Sequence, residues 1–383
     1  MYGFYEFFAG GGMVRAGLGE GWDCLLANDI SAKKAQSYAE NWGASHLRVG
    51  DIFNLRTSDL PGVAELAWGS FPCQDLSLAG LGAGLGGERS GAFWGFWRLI
   101  QGLNAEGRKP RLVLLENVYG ALTSHEGRDF DSIALALSDE GYCFGAMVID
   151  AAHFLPQSRP RLFILGVDAN LVLPDGVHAW TAHPAWHPDA LIRAHNRLSH
   201  SRQAMWRWWN PPAPDSAPMT LDDVIEAQPQ GVAWHTQDET AKILASMSEV
   251  NRRKVLAAQA AGKMKVGTVY RRTRQGVVRA EVRFDGVSGC LRTPTGGSSR
   301  QTIMVVDGAN IRTRLLSPRE AARLMGLPDD YRLPQRYNDA YHLAGDGVAV
   351  PVVAHLARTL FEPIIKANSS DLRAPGIQAR LAA

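Results

Sequence analysis

The chain has 383 residues, of which 46% are apolar and 20% are charged, and this ordinary composition excludes a largely disordered protein. Its length predicts two domains, or one large domain with an insertion, at about 100–200 residues per domain. The formal net charge of +2 excludes a uniformly basic nucleic-acid binder, and the four cysteines form no Cys-x-x-Cys pair, which argues against a zinc ribbon or a disulfide framework.

The first 170 residues alternate short apolar runs with helical stretches. Helices are predicted over 32–42, 91–103 and 130–140, the first with Ser31 as its N-cap. Strand–helix alternation at this spacing predicts an α/β fold with a doubly wound, mostly parallel sheet, which binds ligands at the carboxyl ends of its strands. The predicted strands are 4–8, 24–27, 65–71, 111–115, 144–149 and 162–167.

The second half of the chain has a different texture. Pro, His and Trp dominate 171–218, where the periodicity vanishes, and 267–306 is typical of short strands broken by glycine-rich turns. The interval 263–314 carries 11 Lys and Arg against 3 Asp and Glu, a net +8 that indicates a surface for a polyanion. We therefore predict a smaller, irregular, β-rich domain. Helical stretches at 317–325 and 350–361 and a frayed tail at 367–383 follow.

A glycine run closes the first strand and opens a helix. In Phe8-Ala9-Gly10-Gly11-Gly12, glycines allow a ligand to approach the backbone and leave helix N–H groups free for it. A dinucleotide fingerprint would need a further glycine where Arg15 stands. Asp29 and Asp51 end the next two strands, where carboxylates bind ribose hydroxyls and an adenine amino group. The combination favours an adenosine-containing cofactor over a simple tight turn.

Reactive side chains lie at the ends of three other predicted strands. Cys73 lies in Phe71-Pro72-Cys73-Gln74, ahead of a glycine-rich stretch at 80–87 that we interpret as a lid. A single cysteine is more often a small buried hydrophobe. Here, however, Glu116 ends another strand, and Arg159 and Arg161 begin a third. A thiol, a carboxyl and two cations at one sheet edge indicate covalent chemistry on an anionic substrate.

The order of these motifs resembles the DNA (cytosine-5) methyltransferase family over nearly the whole chain. Each string is short, but eight in the right order form a specific pattern. They are Phe8–Gly12, Asp29-Ile30, Asp51-Ile52, Pro72-Cys73-Gln74, Glu116-Asn117-Val118, Gln157-x-Arg159-x-Arg161, Arg314-Leu315-Leu316-Ser317-Pro318-Arg319-Glu320 and Gly345-Asp346-Gly347-Val348.

The resemblance implies a Rossmann-like fold that binds S-adenosylmethionine and releases S-adenosylhomocysteine, with no metal. The implied catalytic residues are Cys73, Glu116, Arg159 and Arg161: the cysteine adds to carbon 6 of a flipped cytosine and the glutamate supports ring nitrogen 3. The implied cofactor-binding residues are Phe8, Ala9, Gly10, Gly12, Asp29, Ile30, Asp51, Ile52, Pro72, Asp346 and Val348. The expected DNA-binding residues are Gln74, Ser77, Arg271, Arg272, Arg292, Ser298, Ser299 and Arg300.

Two positions depart from the family pattern. Asp346 stands where Asn is usual, near the methionine end of the implied cofactor. Cys290-Leu291 stands where the recognition region has a Thr-Leu pair, so a hydroxyl donor to phosphate is lost unless Thr293 or Thr295 supplies it.

The predicted organisation is a catalytic and cofactor-binding domain at 1–175, a target-recognition domain at 176–337, a returning segment at 338–372 and a tail at 373–383. We expect a monomer that binds duplex DNA in a prokaryotic or phage-host cytoplasm, associated with the nucleoid and not with a membrane; a cognate restriction endonuclease as genetic partner is compatible with this. Three alternatives stay open: an RNA cytosine-5 methyltransferase, a nicotinamide dehydrogenase and a non-enzymatic DNA-binding protein.

Overall fold

The protein was analysed as a computed structural model, which describes residues 1–72, 91–214, 219–274, 276–291 and 300–369. In this part of the chain the larger sheet has the strand order β3-β2-β1-β4-β5-β7-β6. The first five strands in chain order run parallel, whereas β7 is antiparallel to both of its neighbours. The strands are β1 (Tyr2–Phe7), β2 (Trp22–Asp29), β3 (Leu47–Val49), β4 (Leu66–Gly69), β5 (Leu112–Val118), β6 (Tyr142–Asp150) and β7 (Pro160–Asp168).

Helices cover both faces of this sheet. Successive residues of a strand point to opposite faces, so they belong to two different hydrophobic clusters. Phe4 belongs to one cluster and Tyr5 to the other. The connecting helices are α1 (Met13–Leu18), α2 (Ala32–Trp42), α3 (Ala92–Ala105) and α4 (Arg128–Asp139). The predicted doubly wound α/β fold is confirmed, and the predicted helix 32–42 and its cap also hold, since the Lys34 amide donates to Ser31 Oγ at 3.4 Å.

The stretch after the sheet differs from the prediction. We expected no regular structure over 171–218, yet two helices lie there. Only Leu191 and Ala194 of the first are buried, and the helix has 9 residues, which is shorter than the window of about 11–18 residues over which helical periodicity is recognised. The elements are β8 (His178–Ala179), α5 (Asp189–Arg197), α6 (His200–Met205) and β9 (Trp208–Trp209).

The smaller domain has an antiparallel sheet with the order β11-β10-β12-β13, as the predicted β-rich region requires. One face of this sheet packs against helices that the sequence analysis does not predict. Val269 and Ala280 of the sheet are in one hydrophobic cluster with Met247 and Val255 of the helical region. The elements are α7 (Leu221–Val224), α8 (Gln237–Ala245), α9 (Glu249–Gln259), β10 (Lys265–Arg274), β11 (Val277–Arg283), β12 (Thr302–Asp307) and β13 (Asn310–Leu315).

The C-terminal helices lie against α1. Gly17 is so close that a Cβ there would come within 2.4 Å of Val353 Cβ, and Tyr331 donates to the Gly11 carbonyl at 2.7 Å. Tyr331 falls inside the interval predicted for recognition, and the proposed domain boundaries stay a prediction. The elements are α10 (Pro318–Arg323), α11 (Tyr337–Asp346), α12 (Val350–Leu356), a π-helical turn (Ala357–Phe361) and α13 (Glu362–Ala367).

One helical run in this region is long and apolar enough to cross a membrane by length and composition. Tyr337–Ala367 contains an 18-residue window of mean hydropathy 1.5, of which 67% is buried inside the protein. Such burial is typical of a core helix. The C-terminal helices cover the cluster that contains Phe4, so their apolar residues belong to the interior of the fold.

Candidate functional site

The glycine loop joins β1 to α1 in a left-handed conformation. Gly10 and Gly12 have φ angles of 56° and 77°, a region that glycine enters without the steric penalty of a Cβ. Phe8 also has a positive φ, 60°, and strain of this kind clusters at ligand-binding sites. Trp42 Nε1 donates to the Gly11 carbonyl at 3.0 Å. The loop is therefore held in place by neighbours beyond its own chain segment.

Asp29 ties the end of β2 to this loop. Its Oδ2 accepts from the Gly10 amide at 2.8 Å, and its Oδ1 accepts from the Ser31 amide at 2.7 Å. A carboxylate has about four lone-pair sites, so each oxygen retains one for a ligand hydroxyl. Ile30, the next residue, is 70% exposed beside it. This carboxylate and apolar surface suit a ribose and an adenine ring.

The neighbouring strand end carries the second predicted carboxylate. Asp51 caps a short 3₁₀-helix (Ile52–Asn54) by accepting from the Phe53 amide at 3.0 Å. Its side chain is otherwise exposed, as expected for an acceptor of an adenine amine. Ile52, by contrast, is only 4% exposed and packs on α3 at Gly95. It therefore has little surface left for a cofactor.

Asn117, to which the sequence analysis assigns no individual role, holds the segment that leads to the predicted nucleophile. Asn117 Nδ2 donates to the Phe71 carbonyl at 3.1 Å, so the end of β5 positions the chain just before Pro72. Pro72 itself is exposed. The predicted residues Cys73, Gln74 and Ser77 lie outside the described residues.

Glu116 and Arg161 meet between the neighbouring strands β5 and β7 of this sheet. Glu116 is near the end of β5 and Arg161 near the start of β7, which runs antiparallel beside it. Arg161 Nε lies 3.3 Å from Glu116 Oε1, and the two side chains are 15% and 10% exposed. The pair is thus largely shielded from water. The predicted convergence of a carboxyl and a cation is present in the structure.

Arg159 has a different environment from Arg161, although both were predicted to be catalytic. It is 3% exposed, and both terminal nitrogens donate to protein groups. Burial and the charge of Arg161 lower the pKa of Arg159 to about 10. No described carboxylate accepts a hydrogen bond from its guanidinium, although its backbone amide donates to Asp150 Oδ1 at 2.6 Å. Its contacts are those of a residue that holds chain segments.

The Gly345–Val348 segment lies on the start of α1. A Cβ on Gly347 would meet Met13 Sδ at 2.1 Å, and Val348 is 4% exposed. Asp346, the departure from the family's Asn, pairs with Lys34 Nζ of α2 at 2.7 Å. The segment therefore borders the glycine loop, as a cofactor-binding role requires.

The predicted DNA-binding arginines divide between the two faces of the smaller sheet. Arg271 pairs in register with Ala280, on the face covered by helices. Arg272 is on the opposite face, with its guanidinium 4.7 Å from the Tyr270 ring centre and its Nε 3.7 Å from Glu281 Oε2. Tyr270 lies beside Gly289, the residue before Cys290, so Arg272 is on the face of the sheet that is next to Cys290, a neighbour of Arg161.

Arg300 is the remaining predicted DNA contact among the described residues. Its guanidinium carbon lies 5.3 Å from the centre of the Tyr337 ring, and its Nη2 donates to Asn338 Oδ1. It is thereby attached to α11. Arg292, Ser298 and Ser299 lie outside the described residues.

The chain is similar to known proteins along almost its whole length. The sequence model of the family described as C-5 cytosine-specific DNA methylase matches residues 2–362. The type II methyltransferase M.NlaX of Neisseria lactamica is 26% identical over 364 residues, with 94% of this chain and 96% of that protein covered. M.BsuFI of Bacillus subtilis is 26% identical over 376 residues, covering 97% and 75%.

Solved structures show the same fold. The Dnmt2 methyltransferase of S. pombe superposes with a TM-score of 0.57 at 19% identity, covering 95% of this chain and 99% of its own. A putative DNA modification methyltransferase encoded in an E. coli prophage has a TM-score of 0.56 at 16% identity, covering 96% and 100%.

Proposed function

This chain belongs to the C-5 cytosine-specific DNA methylase family, and we propose that it methylates carbon 5 of a cytosine flipped out of a specific duplex DNA sequence, through a covalent adduct with Cys73. That it is a cytosine-5 DNA methyltransferase follows from the family. The base flipping, the adduct and the residue roles are our proposal. The observation that carries them is the Glu116–Arg161 pair, at the same sheet edge as the glycine loop.

The described residues fit S-adenosylmethionine. Asp29 and Asp51 offer acceptors to ribose hydroxyls and an adenine amine, and Ile30 offers an exposed apolar surface to the ring. The cofactor would supply an electrophilic methyl group. Asp346 and Val348, beside α1, would border its amino-acid end.

The protein's part in the chemistry is to make carbon 5 nucleophilic. The Cys73 thiolate forms a bond to carbon 6 of cytosine, and the displaced electron pair of the carbon 5–carbon 6 double bond becomes available at carbon 5. Charge that develops in the ring is absorbed at nitrogen 3, to which Glu116 donates. Arg161, 3.3 Å from Glu116 Oε1, orients that carboxyl. After methyl transfer, loss of the carbon 5 proton restores the double bond and expels the thiolate.

Base flipping is inferred from the limited access of protein side chains to a base in duplex DNA. A ring carbon inside a stacked duplex cannot be reached by a side chain at a sheet edge, so the base must leave the stack. The basic interval 263–314 supports duplex DNA as the polyanion, and Arg272 stacks on Tyr270, which lies beside the residue before Cys290.

The test is adduct formation with DNA that contains 5-fluorocytosine. Bisulfite sequencing of DNA from cells that express the chain first maps the methylated site. A duplex with 5-fluorocytosine at that site should then trap the wild-type protein, because fluorine cannot leave as the proton does, and Cys73→Ala should bind without trapping. Trapping by Cys73→Ala would move the nucleophile elsewhere, and methylation of tRNA but not of duplex DNA would favour the RNA alternative.

A further inference from the structure

Arg159 joins two chain segments that are far apart in the sequence. Its Nη2 donates to the carbonyls of Gly345 at 2.9 Å and Gly347 at 2.7 Å. Its Nη1 donates to Cys290 Sγ at 3.3 Å and to the Leu291 carbonyl at 3.2 Å. One rigid, planar guanidinium therefore holds both segments at once, with one nitrogen assigned to each.

The first of these segments belongs to the cofactor side of the molecule. Gly347 is pressed against Met13 at the start of α1, directly after the glycine loop. Asp346, between the two bonded carbonyls, pairs with Lys34 of α2. A shift of this segment would therefore move the wall of the proposed cofactor site.

The second segment belongs to the recognition side. Cys290 and Leu291 follow Gly289, which lies beside Tyr270 of β10, and Tyr270 stacks with Arg272 on the same strand. A change in how the smaller sheet meets DNA is thus transmitted to Leu291 through a short run of chain.

The chemistry of the contact is unusual for a simple brace. The guanidinium is buried, its Nε has no partner among the described residues, and within them only carbonyls and a thiol accept from it. The nearby charge of Arg161 adds to the cost of its burial, and the charge of Glu116 offsets that cost only in part. A buried charge without a close counter-ion destabilises the folded state. If stability were the only requirement, an uncharged side chain would hold the two segments at a lower cost in free energy.

We propose that Arg159 is a positioning residue that couples cofactor binding to DNA binding. When either ligand orders its own segment, the guanidinium orders the other segment as well, so that each ligand strengthens the binding of the other by the same factor. The inference rests on the proposed function, because it takes 345–348 as the cofactor side and 290–291 as the DNA side.

The experiment measures this coupling factor from both directions. The affinity of the full chain for S-adenosylhomocysteine is measured by calorimetry with and without a saturating duplex that carries the mapped site. The affinity for that duplex is measured by fluorescence anisotropy with and without saturating S-adenosylhomocysteine. We expect a wild-type factor of about tenfold or more, within the usual range for coupled sites.

Two substitutions separate coupling from bracing. Arg159→Met removes every donor and should reduce the factor to below about threefold in both directions. Arg159→Lys keeps a charge that can hold one segment but lacks the fork that holds two. Compared with Arg159→Met, this variant should therefore bind each ligand alone more tightly. Its coupling factor should stay as low as that of Arg159→Met.

Arg108→Met is the matched control. Arg108 also joins segments through carbonyls, those of Leu60 at 2.7 Å and Gly62 at 3.0 Å, but ahead of β4, at its amino end and away from the proposed site. The coupling factor should keep its wild-type value in this variant.

Several results would overturn the inference. A wild-type factor near one with both ligands bound refutes the coupling and leaves the proposed function intact. A wild-type chain that binds neither ligand refutes both. A wild-type coupling factor in Arg159→Lys would show that the coupling does not depend on the fork that holds two segments, and this variant decides the question if Arg159→Met does not fold.

Discussion

Glu6 makes the stability of this protein depend on pH in a direction that is unusual for a carboxyl group. It lies on β1, two residues before Phe8, and is completely buried. Burial raises its pKa from 4.5 to about 8; the amides of Val14 and Arg15 and the Arg15 charge offset this in part, and Asp29 adds to it. Neither carboxyl oxygen has a hydrogen-bond partner of good geometry among the described residues.

The sign follows from linkage. The folded state binds this proton more tightly than the unfolded state does, so the contribution to stability is fully present below pH 4.5 and is lost as the pH rises through about 8. One pKa unit corresponds to about 1.4 kcal/mol, so the full loss is about 5 kcal/mol. Between pH 6 and pH 8.5 the loss is about 2.5 kcal/mol.

The perturbation is Glu6→Gln, which keeps the shape of the side chain and removes the titration. Urea unfolding at half-unit steps from pH 6 to pH 8.5 gives the free energy of unfolding of both proteins. The free energy of unfolding of Glu6→Gln should rise relative to that of the wild type by about 2.5 kcal/mol across that range. Other titrating groups contribute equally to both proteins and cancel.

The same substitution at the exposed Glu20 is the control and should leave the wild-type profile unchanged in shape. Profiles of Glu6→Gln and wild type that run parallel from pH 6 to pH 8.5 would refute the reasoning. They would mean that Glu6 is solvated, or is paired in a way the structure does not show.

Three further predictions concern the proposed site. Glu116→Gln should lower single-turnover methylation by about 10²–10⁴-fold with cofactor affinity almost unchanged, since it cannot transfer a proton; near-wild-type turnover would refute the catalytic role. Asp29→Ala should weaken S-adenosylmethionine binding by about 1.5–3 kcal/mol by calorimetry, because the carboxylate holds the glycine loop as well as the proposed ribose, and an unchanged affinity would reject it. Arg272→Ala should reduce the salt slope of DNA binding by about one and weaken binding more than Arg271→Ala does; equal effects would show that the face of the strand is irrelevant.

Much of the larger domain could be read from local patterns. Strand and helix runs depend on side-chain periodicity, which is a property of neighbouring residues. This is why the predicted helix 32–42 coincides with Ala32–Trp42. The three-residue strand Leu47–Val49 was inferred only from the position of Asp51 and given no bounds, because two of its three residues are exposed and it has no alternating pattern. The helices after residue 171 were missed for a similar reason.

The residues of the site could be named from their types and order, but their partners could not. Glu116 and Arg161 are neighbours only because β7 lies antiparallel beside β5, and nothing local determines that strand order. Arg159 and Gly345 are 186 positions apart. A side chain's contacts at that separation depend on how whole elements pack.

The sequence by itself determined which residues carry chemistry and in what order they follow the strands, since both are properties of the chain. Only the tertiary structure decided that Arg161 pairs with the carboxyl while Arg159 binds backbone carbonyls, and that Arg271 and Arg272 face opposite sides. It also decided that Glu6 is sealed from water. The physical reason is that burial, register and charge environment arise from contacts between distant segments, which exist only after the sheets have formed.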